Sequence, residues 1–278
     1  MVEVKGARRR IDVDILREEG STVDLFHEFT EGSLPDHFSA SLFALVEGKT
    51  PGEATQLRAS PNAFTKAIDL SCLPVEHSGG WAQGCLITPR HLHVASHVGA
   101  SGAYTFQRTD GTRVTRTVET AVNLGDDHQI ATLDSDVDGV SPAKVLPANI
   151  GNYFGPDYPG VVRGNVPVLK GTRVGELRFG IGMLKADGFQ RNKGFNSEAR
   201  PETLSDWYVD YQGGDSGSPC GLINGLQFIF LGNAWQGAGS NDDSSSMITF
   251  SRLLIEPVLA VTGHSLTYAD LSTFPTYN

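Results

Sequence analysis

Cysteine is scarce: Cys72, Cys85 and Cys220 are the only three in 278 residues, and none stands in a CxxC pair. Three thiols cannot all pair within one chain, so a disulfide framework is excluded and neither zinc nor redox work is signalled. Long apolar runs are also missing. No window approaches the roughly 18 to 20 apolar residues that span a bilayer, and stretches such as Phe228 to Leu231 have strand length. No membrane partner is expected. Basic residues are in deficit, 22 against 32 acidic ones, for a formal charge of -10. A phosphate backbone would be repelled unless basic groups gathered on one face, so nucleic acid is not an expected partner. The amino-terminal MVEVKGARRRIDVDILREEG breaks into charges before any apolar core of roughly 7 to 15 residues can form. No secretory signal is read, and with free thiols a cytoplasmic location is the expectation.

Glycine, by contrast, is abundant. Thirty-two glycines and 14 prolines imply many turns and therefore many short strands, while 39% hydrophobic residues with 14 Phe suffice for a buried core. Long helices are not expected. Residues 1–63 carry acidic clusters, the triplet Arg8-Arg9-Arg10 and the loop signals EGSLPD and EGKTPGE, and read as an amino-terminal extension. Within it, Leu42 to Val46 is too short for periodicity to choose between helix and strand.

From Ala67 onwards, short apolar runs broken by glycine read as strands. YTFQR, TDGT and RVTRTVETAV form a β-hairpin signal, because Asp110-Gly111 tolerates positive φ between runs rich in β-branched and aromatic residues. IATLDSDV is a further strand. The passage AKVLPANIGNYFGPDYPG reads as a connector and places a boundary near 148–160. VPVLKGTRVGELRFGIGM and LQFIFLGNAW return to strand patterns, and SRLLIEPVLAVTG suggests a short helix interrupted at Pro257.

The motif that carries chemistry is GGDSGSP, Gly213 to Pro219. Its flanking glycines let the chain turn tightly and aim backbone N–H groups beside the Ser216 hydroxyl. Alone, GDSG is also an ordinary Gly-rich turn. A serine hydroxyl is a poor nucleophile near neutral pH, so it needs a base within hydrogen-bond reach and a group to orient that base. Among eight histidines the best placed is His97, in CLITPRHLHVASHVG.

This segment resembles the histidine region of chymotrypsin-like serine proteases, in which an apolar strand and an Ala-Ala-His turn precede, by a long interval, a Gly-Asp-Ser-Gly nucleophile. Both occur here in that order. The family's third member opens a segment similar to DHQIATLDSDV, Asp127 to Val137, followed by VLP at 145–147. Matching LDSDV without a gap puts Asp127 on the orienting carboxylate, with Asp126 as its neighbour. Matching IA directly puts Gln129 there.

The resemblance covers roughly residues 67–262. It implies an all-β fold of two six-stranded antiparallel barrels, a first barrel in 64–150 with His97 and Asp127, a second in 151–262 with Ser216, and a tail in 263–278. It points to a bacterial-type member without disulfides. It further implies a trypsin-like serine endopeptidase acting on protein or peptide substrates through the triad His97, Asp127 and Ser216. The oxyanion hole would be the amides of Gly214 and Ser216. Asp210, six before the nucleophile, matches the base of a pocket for Arg or Lys, although Gln212 replaces the cysteine that braces that loop. Equally, Asp210 reads as a surface carboxylate. GNAWQGAG resembles the strand that lines the pocket and puts Trp235 on its wall, or in the core. Asp215 would be buried, satisfied by an internal side chain.

No cofactor and no metal site are expected. His91, His93 and His97 have an HxHx3H spacing, but a strand would place the first two on one face and leave His97 to a turn. His128 reads as an exposed strand residue. Asp242-Asp243, in GSNDDSSS, reads as a polar loop. Two rival roles stand beside catalysis: a catalytically silent binding or structural protein that keeps the double barrel, and a self-limited protease that cuts its own precursor.

Overall fold

The computed structural model describes residues 43–45, 57–59, 69–79, 83–108, 110–149, 167–172, 178–190, 194–198, 214–224, 227–237, 242–246 and 251–272. Within the amino-terminal region the run around Leu42 to Val46 resolves as strand: β1 (Phe43–Leu45) pairs antiparallel with β2 (Leu57–Ala59).

The first large sheet has six antiparallel strands. They are β3 (Pro74–His77), β4 (Cys85–Thr88), β5 (His91–Ala95), β6 (Ala103–Gln107), β7 (Arg113–Gly125) and β8 (His128–Leu133), in the order β3-β6-β7-β8-β5-β4. β7 is rich in Val and Thr, residues that fit a pleated, half-exposed surface. It pairs with β6 through its first half and with β8 through its second. The sheet curls: the Leu86 amide donates to the Cys72 carbonyl at 2.9 Å, linking β4 to the residues just before β3. Leu73, Leu86, Ile87, Leu92, Phe106 and Ile130 fill the interior and are fully buried.

The expected hairpin forms between β6 and β7. Gln107 faces Arg113, the Gly111 amide donates to the Arg108 carbonyl at 2.9 Å, and Gly111 takes φ +86. Only the glycine of Asp110-Gly111 is left-handed; Asp110 instead accepts from the Thr112 amide and hydroxyl at 2.8 and 2.6 Å.

The second sheet is built from β9 (Lys144–Val145), β10 (Pro167–Thr172), β11 (Arg178–Gln190), β12 (Gly194–Glu198), β13 (Pro219–Asn224), β14 (Gln227–Gly237) and β15 (Asp242–Ser246). Its order is β13-β10-β11-β12-β15-β14-β9, and a further β13–β14 pairing closes six antiparallel strands into a ring. β9 joins β14 in parallel, so two residues of the stretch read as a connector are part of this sheet. Asp242-Asp243 correct the sequence reading more clearly. They are not a loop but the start of β15, held by β12 on one side and β14 on the other, where two ladders outweigh the poor strand propensity of aspartate.

The chain then forms α1 (Arg252–Ala260). Helix α1 runs through Pro257 without interruption, against expectation. The carbonyl that a proline leaves unpaired belongs to Leu253, which is exposed and open to water. Ile255 and Leu259 join the first sheet's core. Thr262 Oγ1 then reaches His91 Nε2 at 3.3 Å, fastening the end of the helix to β5.

Candidate active site

Register decides where His97 and Asp127 meet. Ala95 at the end of β5 faces His128 at the start of β8, so the residues just beyond each strand are neighbours. On the β8 side, Gly125 faces His128 and the two-residue turn Asp126-Asp127 joins β7 to β8, with φ of 45 and 64. Such a turn needs left-handed backbone at both corners, which aspartate tolerates better than most residues. On the β5 side, the amides of Val98 and Gly99 both donate to the Ala95 carbonyl at 3.1 Å and fold Ser96-His97 back over the strand end. The Ser96 amide donates to the Asp127 carbonyl at 3.0 Å and adds one more rung to the ladder.

The side chains complete the contact. His97 Nδ1 lies 2.8 Å from each carboxylate oxygen of Asp127. Asp127 Oδ1 also accepts from the His97 amide at 2.9 Å and from Ser96 Oγ at 3.0 Å. The carboxylate is buried, with 6% side-chain exposure, while the imidazole is 42% exposed. A proton held on Nδ1 by the carboxylate leaves the lone pair on Nε2, the form a general base requires. Asp126 is exposed, and Gln129 points elsewhere, its Oε1 accepting from the Ala100 amide at 2.6 Å. Of the three alternatives in the sequence, Asp127 is the one that faces His97.

Ser216 stands just before β13. The Ser218 amide donates to the Asp215 carbonyl at 2.9 Å, which makes residues 215–218 a β-turn with Ser216 at the first corner. Gly217 takes the second corner at φ +80, a value that calls for glycine, and Gly214 has φ +104. The turn is anchored on both sides. Within the second sheet, the Gly217 amide donates to the Ala234 carbonyl at 2.9 Å. Across to the first sheet, the Gly84 amide donates to the Gly217 carbonyl at 3.0 Å and Gln83 Nε2 to the Gly214 carbonyl at 3.1 Å. Cys85 faces His93, so Gln83 and Gly84 lie alongside the end of β5 that leads into Ser96-His97. The serine turn and the imidazole therefore occupy the same end of the first sheet. Asp215 is buried, at 1% exposure.

Beneath this end lies a polar cluster that the sequence did not reveal. Asn233 Nδ2 donates to the His93 carbonyl at 3.2 Å and contacts His93 Nδ1 at 2.8 Å. His93 Nε2 in turn lies 2.8 Å from His128 Nδ1. An amide donor at one end fixes the direction of the chain, so His93 donates to His128 and the remaining His128 proton sits on Nε2. That Nε2 has no protein partner. His128 is fully buried and not exposed as the sequence suggested, because the tight turn directs Asp127 to the site and its neighbour into the interior. Burial drives its pKa down to about 4 against the raising effect of Asp127 and Asp126, and it holds His93 well below the ordinary range, with His128 adding to the effect.

His91 and His93 share the buried face of β5 while His97 lies in the turn, so the HxHx3H residues do not converge. Among the described residues no group of His, Cys, Asp or Glu is arranged to hold a metal ion. The three cysteines are buried and unbridged. Asp210 lies outside the described residues. Trp235 sits on β14 at a register shift between the rungs Ala234–Ser245 and Gln236–Ser244. Sequence reasoning missed Ser96, Gln83 and Asn233, and only the adjacency of Ser96 to His97 could have flagged any of them.

The chain is similar in fold to solved structures of human heparin binding protein. A double-site variant has 14% identity, a TM-score of 0.53 and coverage of 77% of this chain and 99% of its own. An atomic-resolution structure of the same protein gives 14% and 0.52, with the same coverage. Identity this low defines the fold alone, which is the chymotrypsin-like arrangement of two antiparallel β-barrels. No family model matches the chain. No curated protein matches it either.

Proposed function

We propose that the protein is a serine endopeptidase that cleaves peptide bonds through an acyl-enzyme. The observation that carries this reading is the His97–Asp127 pair, an imidazole bonded at 2.8 Å to a buried carboxylate, standing at the sheet end to which the Ser216 turn is fastened. Ser216 Oγ attacks the substrate carbonyl as its proton passes to His97 Nε2. The negative charge that develops on the carbonyl oxygen is received by the amides of Gly214 and Ser216, donors typically worth about 3 to 4 kcal/mol each in the transition state. As the C–N bond breaks, His97 returns its proton to the leaving amine. Water, deprotonated by the same imidazole, then hydrolyses the ester and restores Ser216. Asp127 holds the ring and balances its transient positive charge. Asp210 would receive a basic side chain of the substrate and Trp235 would line that pocket.

The test is direct. Treatment with a phosphonofluoridate probe should place one adduct on Ser216 and none on a folded Ser216→Ala variant; an unlabelled, natively folded wild type overturns the proposal.

A second reading is favoured by one observation: the solved structures that share this fold carry the name of a binding protein. In that reading the double barrel serves recognition, and Ser216→Ala leaves the biological role intact. The formal charge of -10 weighs against a polyanion as ligand here. A self-limited protease is separated from both by intact mass, since a single cut dependent on Ser216 would appear during incubation.

A further inference from the structure

We infer that Ser96 is a positioning residue for this site, its hydroxyl fixing the Asp127 carboxylate in the plane where it can hold His97. The inference rests on the proposed peptidase reading for its kinetic consequence, but the contact itself is independent of it.

Asp127 reaches the site from a turn in which both corner residues have positive φ, at 45 and 64. Its backbone is therefore fixed by the hairpin, but rotation about the bonds of its side chain is not. Three donors restrain it: the His97 amide at 2.9 Å, the His97 ring and Ser96 Oγ at 3.0 Å, all on Oδ1. The ring is the group to be positioned and 42% exposed, so it cannot serve as the reference. The His97 amide is a backbone donor to Oδ1 and comes from the same residue that bears the ring. Ser96 supplies the remaining restraint, and its own backbone is held by the bond from its amide to the Asp127 carbonyl. Backbone and side chain of Ser96 thus grip Asp127 at two points, carbonyl and carboxylate.

The geometry gives this grip a readable effect. His97 Nδ1 is equidistant from Oδ1 and Oδ2, at 2.8 Å each, so the ring proton is shared between two oxygens. Sharing requires the carboxylate plane to face the ring edge, and a rotation of the carboxylate would leave one bond and misdirect Nε2. With Ser96→Ala the carboxylate loses one of its donors while the backbone rung survives. Ser96→Thr retains the hydroxyl.

The experiment combines two readouts on wild type, Ser96→Ala and Ser96→Thr, each checked for native fold by circular dichroism. The rate of Ser216 labelling by the phosphonofluoridate probe should fall about tenfold in Ser96→Ala, the effect of one hydrogen bond to a charged group, and return to within about twofold of wild type in Ser96→Thr. In the proton spectrum, the His97 Nδ1–H resonance should move or broaden in the alanine variant and recover in the threonine variant. Labelling at the wild-type rate with an unmoved resonance in Ser96→Ala overturns the inference, as does equal loss in both variants. If wild type itself is not labelled, the peptidase reading fails, and the resonance alone decides whether Ser96 holds the carboxylate. Should Ser96→Ala not fold, Ser96→Cys, which replaces the hydroxyl with a somewhat larger and weakly donating thiol, takes its place with the same expectations.

Discussion

Gly84 and Gly217 join the two barrels at the candidate active site: the amide of the first donates to the carbonyl of the second at 3.0 Å. Neither position has room for a side chain to spare. A Cβ on Gly84 would stand 2.6 Å from the His93 carbonyl oxygen, and one on Gly217 would stand 3.2 Å from Gln83 Cβ. With φ of +95 and +80, both backbones also lie where other residues are strained. Gly84→Ala should cost at least about 1 to 3 kcal/mol of stability, and the urea midpoint would reveal it. A variant as stable as wild type would show that the barrels do not depend on this contact.

Gln83 offers a milder version of the same test. Removing its amide frees the Gly214 carbonyl, to which it donates at 3.1 Å, with a stability loss of about 1 kcal/mol. If Gly214 belongs to the oxyanion hole, Gln83→Ala should lower kcat more than it raises KM. A change confined to KM would detach Gln83 from the chemistry.

Asp127→Asn keeps the shape of the side chain and tolerates the left-handed turn, yet offers His97 Nδ1 an amide group in place of an ionised acceptor. Labelling of Ser216 should drop by about three to four orders of magnitude. Asp126→Asn, altering an exposed neighbour, should leave it within about twofold. Equal effects in the two variants would place the functional carboxylate elsewhere.

Acid should destabilise the fold through its buried histidines. For His91, burial, His264 and Arg90 lower the pKa to about 4 against Asp136; for His128, burial lowers it to about 4. A depressed histidine pKa means that the unfolded chain binds protons first, so stability is full above about pH 6.5 and falls as pH drops towards 4. Each group contributes a slope of up to about 1.4 kcal/mol per pH unit in that window. Urea midpoints between pH 7.5 and 4.5 should trace the loss, and His128→Gln should make the curve shallower. A pH-independent midpoint would contradict the burial of these rings.

If the proposed peptidase prefers basic residues, Asp210 is the side chain expected to set that preference. Cleavage of a diverse peptide library should favour bonds after Arg and Lys, and Asp210→Ala should abolish that preference while sparing overall peptidase activity. An unchanged cleavage pattern would remove Asp210 from the pocket.

The all-β class, the β6–β7 hairpin and the helix after β15 were legible because each rests on local sequence: glycine at a turn, alternating β-branched residues, an apolar run after the last strand. His97 and Ser216 could be singled out for another reason, since their motifs are contiguous. Asp127 was ambiguous along the chain and resolved only by the register that sets Ala95 against His128. Where the sequence misled, tertiary pairing had overruled local preference: Asp242-Asp243 became a strand between two neighbours, and His128 went inside with a turn whose handedness no composition count reveals. Gln83 and Asn233 were invisible because each acts across more than a hundred residues of chain, through bonds to Gly214 and His93.

Helix α1 follows the second barrel in the chain but seals the first, through Ile255 and Leu259 and the bond from Thr262 to His91. A first barrel without residues 252–262 would lack the core contacts of Ile255 and Leu259 and the bond to His91. The barrel that holds the His97–Asp127 pair is thus completed by a segment lying beyond Ser216 in the chain.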